Sequence, residues 1–347
     1  MISVSGIQEI AHLTGLSKST VSRALRGLPS VADVTAATVR KTADELGYIP
    51  SSAAAGLATG RSRVVGVVVP TINRWFYITV LEGVDAELRA AGYDLILFNL
   101  GGRGGDRERV FHRSILRKRV DAMIILGVAF ADAEREQLRR FEHPMLVVGG
   151  AEEGVRHMGV DDRSVALAAT NHLLELGHTR IAHIGGEDES GMNLAVPLDR
   201  REGFLTAMTA AGHAVPGHWM LNGAFSFRGG YAAMRTLLAE PEPRMTAVFA
   251  ASDEMAFGAM VAAREAGVRV PEDLSIIGID GHENGPVYGL TTFAQDPYDQ
   301  GVTAARTLLA EIEGAPALTR FPSARFELVE RSSTAPPPTN SANLSPA

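Results

Sequence analysis

Between Ser17 and Arg23 the sequence places Lys18, Ser19, Ser22 and Arg23 on one side of a helical repeat. Val21, Ala24 and Leu25 fall on the other side. A face of hydroxyls and cations makes hydrogen bonds to phosphates and base edges; it does not make or break covalent bonds. Residue types that do bond chemistry are not arranged for it. No G-x-S-x-G elbow, G-x-x-x-x-G-K-[ST] phosphate loop or H-E-x-x-H pair occurs, and cysteine is absent. His178 and His183 stand at the wrong spacing for a metal helix, and the second enters an apolar run. GGRGGD at 101–106 lacks dinucleotide-binding spacing and reads as a turn. Of the acidic groups, Glu187, Asp188 and Glu189 read as a solvated loop, and Asp161 with Asp162 as a strand-end cap.

The elements that must hold that face are short helices. Ser5 followed by Gln8 has capping-box spacing, and Ile7, Ile10 and Ala11 form an apolar stripe. Thr14, Gly15 and Leu16 end the first helix, and Ser17 can cap the second. A third helix is expected from about Asp33 to Leu46, with Val39, Ala43 and Leu46 inside and Gly47 at its end. Helix, glycine turn and helix with a basic outer face is a helix-turn-helix. Charge agrees. Residues 1–63 carry seven Lys and Arg against four Asp and Glu, a surplus of +3, which leaves −10 elsewhere in a chain of net charge −7. A polyanion is expected to meet this head only.

From Arg63 the pattern changes. Short Val- and Ile-rich runs at 64–69, 94–99, 122–127, 145–150, 180–186, 245–251 and 274–280 alternate with helical patterns at 76–91, 106–118, 132–141, 163–176, 198–211, 227–239 and 253–266. That alternation predicts parallel α/β sheets covered on both faces. Its length, in a chain of 347 residues, predicts two similar lobes. The Pro-, Ser- and Asn-rich tail at 334–347 is expected to be disordered. No apolar run approaches the about 18 residues of a membrane span, and the N-terminus has no signal-peptide pattern, so a soluble cytoplasmic protein is expected. Hydrophobic residues at 46% and charged residues at 21% are ordinary globular usage and exclude wholesale disorder.

The run IQEIAHLTGLSKSTVSRALRG, then VRKTADELGYIPSSAAAGLATGRSRVVGVVVP, resembles the lactose-repressor (LacI/GalR) family of bacterial transcription regulators. NHLLELGHTRIAHIGG, RREGF, ASDEMAFGAM, LSIIGIDG and LTTFAQD continue the resemblance in the family's order, covering nearly everything but the tail. It implies a small all-α helix-turn-helix head at 1–50 and a hinge helix at 51–62, with a plain flexible linker as the alternative. It also implies a two-lobed α/β core at 63–333 of the type I periplasmic-binding-protein kind, with parallel sheets. The first lobe is expected at about 63–161 plus 293–320, and the second at about 162–292 plus 321–333. Lys18 and Ser19 match the family's base-reading positions, and Arg23 is matched too. Ser5, Ser17, Thr20, Ser22 and Thr35 suit phosphate contacts. In the hinge, Leu57 matches a leucine that wedges into the minor groove, and Ala53 and Ala54 let two hinge helices approach.

On the ligand side, Trp75 and Phe76 fall where relatives place ligand contacts. Arg200 and Asp280 match the family's ligand-binding arginine and aspartate, with a structural ion pair as the alternative. Phe225, Ser252, Asp253 and Gln295 are further matches, and Asp253 can instead cap a helix; Tyr77 reads as core packing. Gly149 stands where the family's namesake has an acidic sugar contact, Ser252 where it has an asparagine, and Gly281 replaces a second acid. The loop 186–199 is longer than common. The resemblance implies a homodimeric repressor of carbohydrate genes that binds pseudo-palindromic operator DNA. A sugar or glycoside effector would switch it, with no cofactor, metal or membrane partner. A purine or nucleoside effector is the alternative. A periplasmic-type carrier would need a signal peptide and no head, and an enzyme would need motifs the sequence lacks.

Overall fold

A computed structural model describes residues 6–25, 28–48, 61–101, 107, 119–128, 130–150, 154–186, 195–240 and 245–338. They form two compact units, Met1–Arg63 and Val64–Ala347.

The first unit holds helices α1 (Ile7–Thr14), α2 (Lys18–Leu25) and α3 (Asp33–Glu45). Ile10, Val21, Ala24, Ala36, Val39 and Ala43 meet in one small core. Gly15 at φ 68° closes α1 in the left-handed conformation, which lets the chain turn at once into α2. Ser17 Oγ accepts from the Thr20 backbone N–H at 3.2 Å, so it caps α2. The capping box expected from Ser5 and Gln8 falls partly outside the described residues. Gly6 is the N-cap of α1, and Gln8 is engaged elsewhere. Ser5 itself, the hinge 51–60 with Ala54 and Leu57, and most of the helix expected at 106–118 lie outside the described residues.

In the second unit, β1 (Val64–Val69), β2 (Asp94–Asn99), β3 (Ala122–Leu126), β4 (Met145–Val148) and β5 (His157–Met158) build a parallel sheet in the order β2-β1-β3-β4-β5. Helices α4 (Trp75–Ala90) and α5 (Asp132–Arg139) belong to this lobe. A second sheet has the order β11-β10-β9-β8-β6-β7. Its strands are β6 (Ile181–Gly185), β7 (Met220–Asn222), β8 (Ala247–Ala250), β9 (Ser275–Asp280), β10 (Thr291–Ala294) and β11 (Glu327–Val329). Four helices accompany it: α6 (Asp162–Glu175), α7 (Ala195–Ala210), α8 (Phe227–Ala239) and α9 (Asp253–Glu265), with a short α10 (Gly285–Tyr288) before β10. Helix α11 (Pro297–Ile312) leaves the second sheet and returns to the first lobe, where Ala304, Ala305 and Leu308 pack with Val80, Val84 and Leu88 of α4. Central strands such as β3, β4 and β8 are buried along nearly their whole length, which is why they read as unbroken apolar runs.

Two features depart from the sequence expectation. β11 pairs antiparallel with β10, a three-residue edge too short to show a pattern. The start of the tail is also ordered: Thr334 is buried, and the Ala335 carbonyl oxygen lies 2.8 Å from His178 Nε2 and accepts from Ser275 Oγ at 3.0 Å. Composition misses this because the anchors are buried groups of the second lobe, distant in sequence. Residues 339–347 lie outside the described residues.

Candidate functional site

On α2, Lys18, Ser19 and Arg23 are exposed, and Thr20 and Ser22 are half-buried. Ser17, exposed before the helix, has its Oγ 2.8 Å from Ser19 Oγ and 2.9 Å from Thr20 Oγ1. Lys18 Nζ donates to Gln8 Oε1 of α1 at 2.8 Å, and Arg23 Nε donates to the Ser19 carbonyl at 3.1 Å. Both cations are thus held by neighbours on the same unit, with their side chains exposed. Thr35 is half-buried in the first turn of α3. An exposed helix start with hydroxyls and two cations suits phosphates and base edges.

The second unit carries a cleft between its lobes, at the carboxyl ends of both sheets, where open α/β sheets take ligands. It contains about 870 Å³ of atom-free space, part of it continuous with solvent. Phe76, Arg200, Phe225, Ser252, Asp280 and Gln295 line it, as do Arg74, Tyr77, Asp162, Glu254 and Gln300. Arg200, on α7, is 4% exposed and organises the floor. Its Nε donates to Asp162 Oδ1 at 2.8 Å, its Nη1 lies 3.7 Å from Asp280 Oδ1, and Nη1 also donates to the Ala251 carbonyl. The Phe225 ring lies 6.0 Å from the guanidinium carbon. The carboxylates of Asp162 and Asp280 hold the Arg200 pKa above its ordinary value despite burial. Burial raises Asp162 and Asp280 in turn, Asp280 to about 6, with Arg200 opposing both shifts.

Asp280 ends β9 at φ 139°, a conformation costly for any residue with a side chain. It is held by the Gln295 Nε2 donor at 2.9 Å, and Gln295 Oε1 accepts from Gln300 Nε2 at 3.1 Å. Tyr77 lies with its ring on Gly127, where an added Cβ would sit 2.6 Å from the hydroxyl oxygen; burial pushes that hydroxyl up to about 12. Gly149 gives way in the same manner to the Phe76 ring, which would lie 3.2 Å from a Cβ there. An acid at 149 would compete with Phe76 for that space.

Two expected ligand contacts fall elsewhere. Trp75 does not line the cavity; it stacks on His282 of the second lobe, ring centroids 4.5 Å apart. Asp253 is fully buried behind the cleft, where its carboxylate accepts from Thr292 Oγ1 at 2.7 Å and from the His282 N–H at 2.8 Å. It is not the helix cap either. Ser252 caps α9, accepting from the Met255 N–H at 3.4 Å. The acidic pair divides in a way the sequence reading missed: Asp161 caps α6, while Asp162 turns inward to Arg200. Tyr77, read as core, reaches the cavity. A Gln on the apolar face of α11, one turn before Ala304 and two before Leu308, was the available signal for Gln300.

Comparison with known proteins assigns the family of the chain. Residues 6–51 match the family model described as bacterial regulatory proteins, lacI family, and 170–334 match a periplasmic binding protein-like domain. The chain is 34% identical to the HTH-type transcriptional repressor CytR of Escherichia coli K12 over 315 residues, covering 89% of this chain and 90% of that protein. The chain belongs to the LacI family. It is a DNA-binding transcription regulator of that family and not an enzyme. Among solved structures, a complex of the regulator CelR with cellobiose is 29% identical, with TM-score 0.68 over 95% of this chain and 99% of that one. The lac repressor dimer bound to operator and an anti-inducer shares the fold at TM-score 0.81 and 24% identity, covering 96% of this chain and all of that one. The candidate polar side chains lie in two places, on the exposed face of α2 in the first unit and in the cleft of the second. Among the described residues, no helix is long and apolar enough to cross a membrane, and no group of three or more His, Asp or Glu is placed to hold a metal ion.

Proposed function

We propose that this LacI-family regulator is a cytoplasmic homodimer that represses carbohydrate-utilisation genes. A neutral sugar or glycoside entering the cleft between its lobes switches it. The observation that carries the effector class is the cleft's balance. Arg74 and Arg200 face Asp162, Glu254 and Asp280, so the lining holds no surplus positive charge to attract a phosphate or carboxylate. Phe76 and Phe225 offer ring faces to C–H surfaces, while Arg200, Asp280, Gln295 and Gln300 offer donors and acceptors to hydroxyls.

In this reading two heads lay α2 into successive major grooves of a pseudo-palindromic operator. Lys18, Ser19 and Arg23 read base edges, while Ser5, Ser17, Thr20, Ser22 and Thr35 hold phosphates. Ala54 and Leu57 belong to the hinge, where Leu57 wedges the central step, so Leu57→Ala reduces the operator bend seen by gel phasing. The effector acts by favouring one arrangement of the two lobes. Contacts already cross between them: Arg74 Nη2 donates to the Ala224 carbonyl at 3.2 Å, and Trp75 stacks on His282. By linkage, effector and operator weaken one another equally, by about 1–3 kcal/mol.

The test combines selection of operator sequences from random duplexes with a thermal-shift screen of sugars, glycosides, purines and nucleosides. A sugar that raises the melting temperature and releases the selected duplex is the expected result. A response confined to purines or nucleosides replaces the effector class. No duplex preference at low salt overturns the whole reading.

A further inference from the structure

Gln300 is 3% exposed, lines the cleft and stands on α11 of the first lobe. The hydrogen bonds around it fix its amide orientation. Asp280 presents carboxylate oxygens, so Gln295 turns its NH₂ toward Asp280, with Nε2 to Oδ1 at 2.9 Å. That leaves Gln295 Oε1 facing Gln300, which must answer with its own NH₂, at 3.1 Å. Flipping either amide sets oxygen against oxygen. The Gln300 carbonyl oxygen is what remains, and it is buried with no hydrogen-bond partner among the described residues. A buried acceptor left without a donor is unfavourable, and natural sites keep one where a ligand or water supplies the donor.

We propose that Gln300 Oε1 is a specificity-determining acceptor for one hydroxyl of the effector. That hydroxyl extends a hydrogen-bond line from Gln300 on the first lobe through Gln295 to Asp280 on the second. The inference rests on the cleft being the effector site. It adds which chemical group the effector must carry and which residue demands it: a hydrogen-bond donor such as a hydroxyl, since the position holds a neutral amide oxygen. Gln300 also explains how occupancy is sensed from both lobes. Removing the ligand hydroxyl leaves the first-lobe end of the line unsatisfied while Arg200 and Asp280 remain engaged.

Isothermal titration of the full chain with D-glucose, D-galactose, D-xylose, cellobiose and adenosine identifies the tightest of these probes. Its monodeoxy analogues are then titrated against the native chain, Gln300→Leu, Gln300→Met and Gln300→Glu, with melting curves confirming that each variant folds. The native chain loses about 10-fold in affinity for one deoxy position. Gln300→Leu and Gln300→Met bind the parent probe more weakly by a similar factor and show no further loss at that position. Gln300→Glu, which keeps an acceptor but loses the donor to Gln295, binds the parent probe more weakly and still discriminates at that position. If a folded apolar variant binds the parent probe as tightly as the native chain, or keeps the penalty at every deoxy position, the assignment to Gln300 falls and the cleft reading stands. If no probe binds, the cleft reading falls and takes the assignment with it. Binding of adenosine alone overturns the sugar class, and the same cycle with 2′-, 3′- and 5′-deoxyadenosine then decides Gln300.

Discussion

On α2 the functional groups point outward, with Lys18, Ser19 and Arg23 in water; in the cleft Arg200, Asp280 and Gln300 are all nearly sealed from solvent. The difference is energetic as well as geometric. An exposed donor contributes little to folding and stays accessible to a partner. A buried one is already part of the fold, because a charge taken out of water must be matched on the spot. Function and stability should therefore separate in the head and be coupled in the core.

The sharpest attempt to break that contrast is Arg200→Ala. It strands Asp162 and Asp280 without their cation, so the core loses about 3–5 kcal/mol by denaturant titration, and the effector response disappears. An unchanged midpoint with a lost response would place Arg200 among residues that act only on ligand. Arg23→Ala and Lys18→Ala are the converse. Each weakens operator binding by about 1–3 kcal/mol and relaxes preference at particular base pairs, while the melting temperature of the chain stays put. Equal weakening on every sequence would reduce the residue to a phosphate contact. Ser17→Ala crosses the line from the head side. Loss of the α2 cap costs the head about 1 kcal/mol, read as lower helicity on warming.

A further test sharpens the comparison through pH. Burial and the neighbouring Asp280 charge raise Asp253 from an ordinary 3.8 to about 7. The folded core then holds a proton that the unfolded chain releases. This contribution is fully present near the acid end of that range and is lost as the pH rises toward about 7 and beyond. Asp253→Asn, which removes the charge while keeping the shape, should flatten the fall in melting temperature across that window. An unaltered slope would show that Asp253 does not carry it.

Much of the fold was legible because it is written in local periods. The strands at 64–69 and 94–99 and the helix at 227–239 lie where alternation placed them, since a buried strand such as β1, a short apolar edge run such as β2 and a one-sided helix leave strong short-range patterns. β5, β7, β10 and β11 were not legible as strands; each is two to four residues long and borrows its stability from a partner already in place. In the cleft, Phe76, Arg200, Phe225, Ser252, Asp280 and Gln295 line the cavity, whereas Trp75 and Asp253 were displaced from it by one residue of helix phase. One step along a helix turns a side chain by about 100°, enough to exchange a cavity wall for a lobe contact.

What the sequence determined alone is the division of labour: a basic head whose polar face follows from one helix's own repeat, and an acidic α/β core that alternates strand with helix. Only the tertiary structure decided which acid meets Arg200, that Asp161 caps while Asp162 turns inward, and that Gln300 is left with an acceptor to fill. The reason is distance along the chain. A helix face depends on residues three and four apart, but the cleft is closed by strand ends and helix starts from residue 74 to residue 300, and their meeting is set by how the two sheets pack rather than by any local repeat.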